Sequence, residues 1–219
     1  QMESLIAECY RIMTKSNRLI MLGGEHTVSI GGYYGVAKAV AEKNNKRLGY
    51  VQIDNHFDFG DISTLHGKIY HGSNGRRISE HPNLSNKAMG FVGVGDLTSK
   101  LQYDSLIEAG VSIEPMYSIR KKGFENSLRR VLDKVSGNCD ELYISIDIDV
   151  CDTSVATGTG HVTIGGISAS DFMDMALIFH DYPITALDIV EVSPKYDLSD
   201  ATSSMVARFL FEWLYLKKI

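Results

Sequence analysis

Acidic and imidazole side chains gather in four short stretches of this chain: Gly23-Gly24-Glu25-His26-Thr27, Asp54-Asn55-His56-Phe57-Asp58, Asp147-Ile148-Asp149 and Glu191. All four directly follow an apolar run of strand character. On an extended segment alternate residues point the same way. Asp54, His56 and Asp58 are therefore expected to converge, with Asp147 and Asp149 meeting them from a neighbouring strand and His26 as a further donor. That is more ligands than one ion needs. Carboxylates can bridge, so the expectation is two divalent cations about 3.5–4 Å apart that activate a water between them. Oxygen-rich ligation with a few imidazoles favours manganese over zinc. An isolated aspartate at a strand end is more often a cap or turn residue, but several buried side by side without a cation would be very costly. His66, His81, His161 and His180 lack such context and read as surface or packing histidines. Gly31-Gly32 lacks the spacing of a phosphate-binding glycine loop.

Short apolar runs alternate with longer amphipathic segments and must position these residues. Strands are predicted over residues 18–22, 48–53, 87–94, 111–115, 141–146 and 184–190. Helices are predicted over residues 3–14, 29–42, 99–108, 122–135, 169–179 and 202–216. Runs such as residues 143–146 and 186–190 are too continuously apolar for a half-exposed strand and suit a sheet covered on both faces. The pattern predicts a three-layer α/β/α domain with a mainly parallel central sheet, residues 1–219 forming a single domain. In such sheets ligands sit beyond the carboxyl ends of the strands, where the four stretches fall.

Composition narrows the function classes. The chain has 219 residues, 44% of them hydrophobic, and a formal net charge of -5 without a basic block, which argues against a nucleic-acid partner. Its apolar runs fall short of the roughly 20 residues of a membrane span. Cys9, Cys139 and Cys151 are odd in number and lack ligand spacing, so they read as inert thiols in a reducing compartment, by default the cytoplasm.

With the motifs laid out, the chain resembles the ureohydrolase family of arginases and agmatinases. Gly23-Gly24-Glu25-His26-Thr27 is similar to the family's G-G-D-H-S, and Asp54-Asn55-His56-Phe57-Asp58 to D-A-H-x-D. His71-Gly72-Ser73 resembles its His-Gly segment. Ser145-Ile146-Asp147-Ile148-Asp149 with Gly158-Thr159-Gly160 resembles S-x-D-x-D followed by P-G-T-G. Glu191-Val192-Ser193-Pro194-Lys195-Tyr196-Asp197 is closer to the agmatinase-like E-V-S-P than to the arginase E-V-N-P.

The resemblance implies an arginase-like fold and two divalent ions, manganese or alternatively nickel. His26 and Asp58 would complete one, His56 and Asp149 the other, with Asp54 and Asp147 as bridges. A bridging hydroxide would attack a guanidinium carbon and release urea and an amine. Glu191 would pair with the cationic guanidino substrate, agmatine or a related guanidino acid or guanidine, and His71 would carry a proton to the departing amine. The resemblance also implies a homo-oligomer, a trimer or hexamer, or a hetero-oligomer with an active partner, and a further amino-terminal part that this chain lacks. Glu25, Asn55, Thr153 and Ala156 depart from the family's usual residues beside the site. The alternatives are a formimino- or biguanide-type amidine hydrolase and a catalytically silent subunit. A two-metal phosphoesterase would add arginines near the metals, and none lies close to these motifs in the sequence.

Overall fold

A computed structural model describes residues 1–95 and 100–216. Six strands form one sheet in the order β1-β6-β5-β2-β3-β4, every neighbouring pair parallel. They are β1 (Leu19–Leu22), β2 (Leu48–Ile53), β3 (Met89–Val92), β4 (Ser112–Glu114), β5 (Glu141–Asp147) and β6 (Ile184–Val190). β2 and β6 are buried along their whole length, as continuously apolar strands must be when helices cover both faces.

Helices α1 (Met2–Lys15), α2 (Val28–Asn44) and α3 (Asn74–Ser79) form one layer, with α2 lying on β2 and β6. Tyr33 of α2 meets the Tyr50 and Tyr143 rings of the sheet edge-on, with centroids 5.7 and 5.8 Å apart. On the other layer α6 (Phe124–Ser136) packs on β2, β3 and β4, joined by α5 (Met116–Lys122), α7 (Ala169–Ile178) and α8 (Ala201–Tyr215). Helix α4 (Lys100–Glu108) follows β3. The architecture is the expected three-layer α/β/α, and its sheet is parallel at every pairing.

Several boundaries differ from the sequence pattern. The strand expected over 87–94 shortens to Met89–Val92 because a 3₁₀ turn, Asn86–Ala88, precedes it. The single helix expected over 122–135 divides at Gly123, whose φ of +87° no helix accommodates, into α5 and α6. Helix α3 lies in a stretch with no predicted element, and Ser99, the predicted start of α4, lies outside the described residues. Among the described residues no helix is long and apolar enough to cross a membrane. Cys9, Cys139 and Cys151 are buried and unbridged, with burial raising all three thiols.

Strand order builds the site. The strands followed by the chemistry-bearing stretches are β1, β6, β5 and β2, which stand side by side although they lie far apart in sequence. Pairing registers put Leu22 beside Ile189, Asp147 beside Val190, and Ile53 beside Ile146, so the four carboxyl ends are level. The chain reverses its direction of travel across the sheet between β5 and β2, the kind of switch point where α/β sheets bind ligands.

Candidate metal centre

Two groups of potential metal ligands meet at these strand ends. His26, Asp54, Asp58 and Asp147 form one, and Asp54, His56 and Asp149 the other, the ligand atoms of each lying within 4.8 Å of one another. Asp54 belongs to both, as a bridging carboxylate would, whereas Asp147 joins only the first.

The convergence does not come from extended alternation. After β2 the chain bends at once: the His56 N–H donates to Asp54 Oδ1 at 2.6 Å and Asp58 takes a φ of +47°. After β5 a 3₁₀ turn, Ile148–Val150, is capped by Asp147, whose Oδ1 accepts from the Asp149 N–H at 2.9 Å. Tight turns thus fold Asp58 and Asp149 back over the sheet. Asp58 and Glu191 (φ +62°) are both non-glycine residues in the left-handed region, a conformation that costs on the order of 1–3 kcal/mol and gathers at functional sites.

His26 is 1% exposed and shows what the site requires. Ser145 Oγ donates to Asp188 Oδ1 at 2.7 Å, so it accepts from His26 Nε2 at 2.9 Å, which fixes the proton on that nitrogen. Tyr143 also donates to Asp188, at 2.6 Å. The other ring nitrogen, Nδ1, faces Asp58 at 2.9 Å, Asp147 at 3.1 Å and Asp54 at 3.4 Å. A buried ring nitrogen surrounded by carboxylates calls for a cation, either a proton or a metal ion. Burial pushes His26 down, but hydrogen bonding to Asp147 and Asp58 outweighs it and holds the imidazole well above its usual value, a proton standing where a metal would. Burial, then the charges of Asp58 and Asp149, pushes Asp54 up to about 7. His56 Nδ1 lies 3.1 Å from Asp149 and 3.3 Å from Asp54. Gln52 holds Asp54 Oδ2 at 2.7 Å and takes a hydrogen bond from Tyr50 at 2.9 Å. This donor set, mostly carboxylate with one imidazole per group, fits divalent cations.

His26, His56, Asp58, Asp147 and Asp149 line a cavity of about 470 Å³ together with Glu191, His71 and His161. Glu191 Oε1 accepts from the His26 N–H at 2.7 Å. His71 stands at the rim in a 3₁₀ turn, His71–Ser73, its Nδ1 3.4 Å from Glu25. Sequence reasoning missed three contributors. His161, read there as ordinary, sets its ring edge-to-face on His56 at 5.5 Å. Thr159, 5% exposed with an unpartnered hydroxyl, also lines the cavity. Asp188 fixes His26 through Ser145. A signal existed for each: His161 adjoins Gly158-Thr159-Gly160, and Asp188 interrupts an otherwise apolar strand.

The Arginase family model matches residues 1–215. The chain belongs to the arginase family. It is 31% identical to the human mitochondrial guanidino acid hydrolase over 196 residues, 89% of this chain and 53% of that protein. It is 30% identical to the mitochondrial agmatinase of Gallus gallus over 211 residues, 95% of this chain and 60% of that one. The chain thus spans little more than half the length of these curated relatives. In fold it matches the proclavaminate amidino hydrolase of Streptomyces clavuligerus with a TM-score of 0.83 and 25% identity, over 98% of this chain and 69% of that one. The four stretches on which the resemblance mainly rests are the ones that the topology brings together.

Proposed function

We propose that this chain hydrolyses the C–N bond of a guanidino compound to urea and an amine, using two divalent cations. The observation that carries the reading is His26 Nδ1, buried and faced by three carboxylates, a place that requires a cation. In this reading His26, Asp54, Asp58 and Asp147 would hold one cation, and Asp54, His56 and Asp149 the other, with Asp147 as a further ligand that the second could share. The carboxylate-rich set favours manganese, with nickel as the alternative. When bound, the two cations offset the buried negative charge and lower the pKa of a shared water toward neutrality.

The chain's own residues supply the rest. Asp188 and Ser145 hold the His26 ring in one tautomer and orientation. Glu191, anchored through one oxygen on the His26 N–H, orients the guanidinium by a charge-assisted hydrogen bond. His71 at the rim, with Glu25 beside it, gives a proton to the amine as it departs. Assembly as a homotrimer or hexamer and a cytoplasmic location belong to the same reading, and light scattering tests the first.

The experiment is elemental analysis of the purified chain together with product release from agmatine, guanidino acids, guanidine and a formimino compound. About two manganese ions per chain and urea from a guanidino compound are expected. Neither metal nor urea after reloading sinks the reading, and formamide from the formimino compound alone replaces it with the formimino-hydrolase reaction.

A further inference from the structure

The two histidines of the metal clusters are held in different ways. His26 is buried, and Ser145 and Asp188 fix its ring. The His56 side chain is 26% exposed and opens onto the metal cavity. Its Nδ1 faces Asp149 and Asp54. His161, which lines the same cavity, meets the His56 ring edge-to-face, with centroids 5.5 Å apart and planes at 69°. Rings in that arrangement attract one another beyond the area they bury, because the positive edge of one meets the negative face of the other.

His161 is exposed, yet its place is closely defined. It lies in the loop between β5 and α7, and that loop is tied down two residues to either side. On one side Thr159 forms an antiparallel bridge to Val192. Its neighbour Gly158 accepts from the Ser193 N–H at 2.7 Å and donates its own N–H to Thr202 Oγ1 at 2.9 Å. A Cβ on Gly158 would stand 2.6 Å from the Asp197 Cβ, so this close approach needs glycine. On the other side Thr163 forms a parallel bridge to Asp152, and its carbonyl accepts from the Thr153 N–H at 2.8 Å. Thr159 and Thr163 are both buried. The fold thus delivers the His161 ring to the flank of His56 from a braced loop.

We propose that His161 is a positioning residue for the cation of Asp54, His56 and Asp149, its ring holding the His56 imidazole with Nδ1 turned toward the two carboxylates. This rests on the two-cation reading above. An imidazole ligand turns about the bond to its ring, and apparent affinity falls with the fraction of chains whose ligand is correctly turned. His56 needs an outside support because it is the more exposed of the two histidines, whereas His26 is enclosed. The contact uses the flat ring of His161 and not its nitrogens. Another flat ring at position 161 therefore serves equally well, which separates packing from coordination.

The test is stepwise manganese titration by calorimetry at one pH for the wild type, His161→Ala, His161→Phe and His161→Gln, with thermal melts of the metal-free chains to check folding. Asp58→Asn and Asp149→Asn identify the two binding steps, since Asp58 belongs only to the first cluster and Asp149 only to the second. His161→Ala and His161→Gln are expected to weaken the second-cluster step by about three- to tenfold and to leave the first within about twofold. His161→Phe is expected to restore the second step to within about twofold of wild type. No change in His161→Ala, an equal loss at both steps, or a His161→Phe that binds no better than His161→Ala overturns the proposal, the last because an imidazole nitrogen would then be required. A wild-type chain that takes up no manganese overturns the two-cation reading and this proposal with it. The expected pattern without urea from any guanidino compound upholds His161 in this role and removes the hydrolytic reading alone.

Discussion

Asp147 is buried beside two other carboxylates of the site. Burial, followed by the charges of Asp149 and Asp54, pushes its carboxyl well above the usual range, against the pull of His26. A residue kept for metal binding and one kept for structure respond oppositely to neutralisation. Asp147→Asn retains an acceptor for the Asp149 N–H and removes a like charge from a buried cluster. The metal-free variant should be more stable than the metal-free wild type, by on the order of 1 kcal/mol in chemical denaturation, while its stabilisation by manganese largely disappears. A metal-free variant less stable than wild type would mark Asp147 as a structural residue. The left-handed φ of Asp58 and Glu191 belongs to the same exchange, because local strain is tolerated where a side chain must be aimed.

At the scale of elements, the metal loop after β2 is held by helix α3. The Arg76 N–H donates to the Asp58 carbonyl at 3.2 Å. A Cβ on Gly75 would stand 2.5 Å from the Phe57 carbonyl and 3.2 Å from that of Asp58. Those atoms are backbone and can yield only by moving the loop that carries Asp58. Gly75→Ala should therefore weaken binding of one of the two cations by about tenfold, as second-layer support of metal ligands typically does, and leave the other nearly unchanged. Stepwise manganese titration resolves the two sites, and equal weakening of both would show that α3 does not position Asp58 specifically.

For the molecule as a whole, the metal cluster sets how stability depends on pH. Burial and the charges of Asp58 and Asp149 raise Asp54 from 3.8 to about 7. Burial opposes His56, but Asp149 and Asp54 outweigh it and raise the imidazole from 6.5 to about 11. Both groups bind protons more tightly folded than unfolded. The stability they confer is therefore present at low pH and lost as pH rises, from 3.8 to about 7 for Asp54 and from 6.5 to about 11 for His56. Asp152 acts in the other direction. Hydrogen bonds from Ser154 hold it below 3.8, so its contribution is lost in stronger acid. The metal-free chain should melt highest near about pH 5 and lower toward pH 8. Manganese, which displaces those protons, should raise Tm more as pH rises. At a hundredfold excess over Kd the gain is about 2.7 kcal/mol, or roughly 5–10 °C for a chain of this size. A manganese shift in Tm that does not change between pH 5 and pH 8 would contradict proton displacement at these residues.

By itself the sequence determined the layered α/β class, all six strands and the acidic and imidazole residues that follow four of them. The reason is physical: continuous apolar runs have no stable place except a sheet covered on both faces, and clustered carboxylates have no stable burial without a cation. It did not determine how those residues meet. Asp58 and Asp149 reach the site through a left-handed residue and a 3₁₀ turn, local geometry that an alternation rule cannot see. Helix α3 is short and its apolar content low, so no periodicity announced it, and the break at Gly123 depends on a φ that the surrounding helical pattern conceals. Only the tertiary structure put His161 against His56. Such neighbours are made by strand order and loop closure over long sequence distances. Their proximity is therefore written in the fold and in no single stretch of the chain.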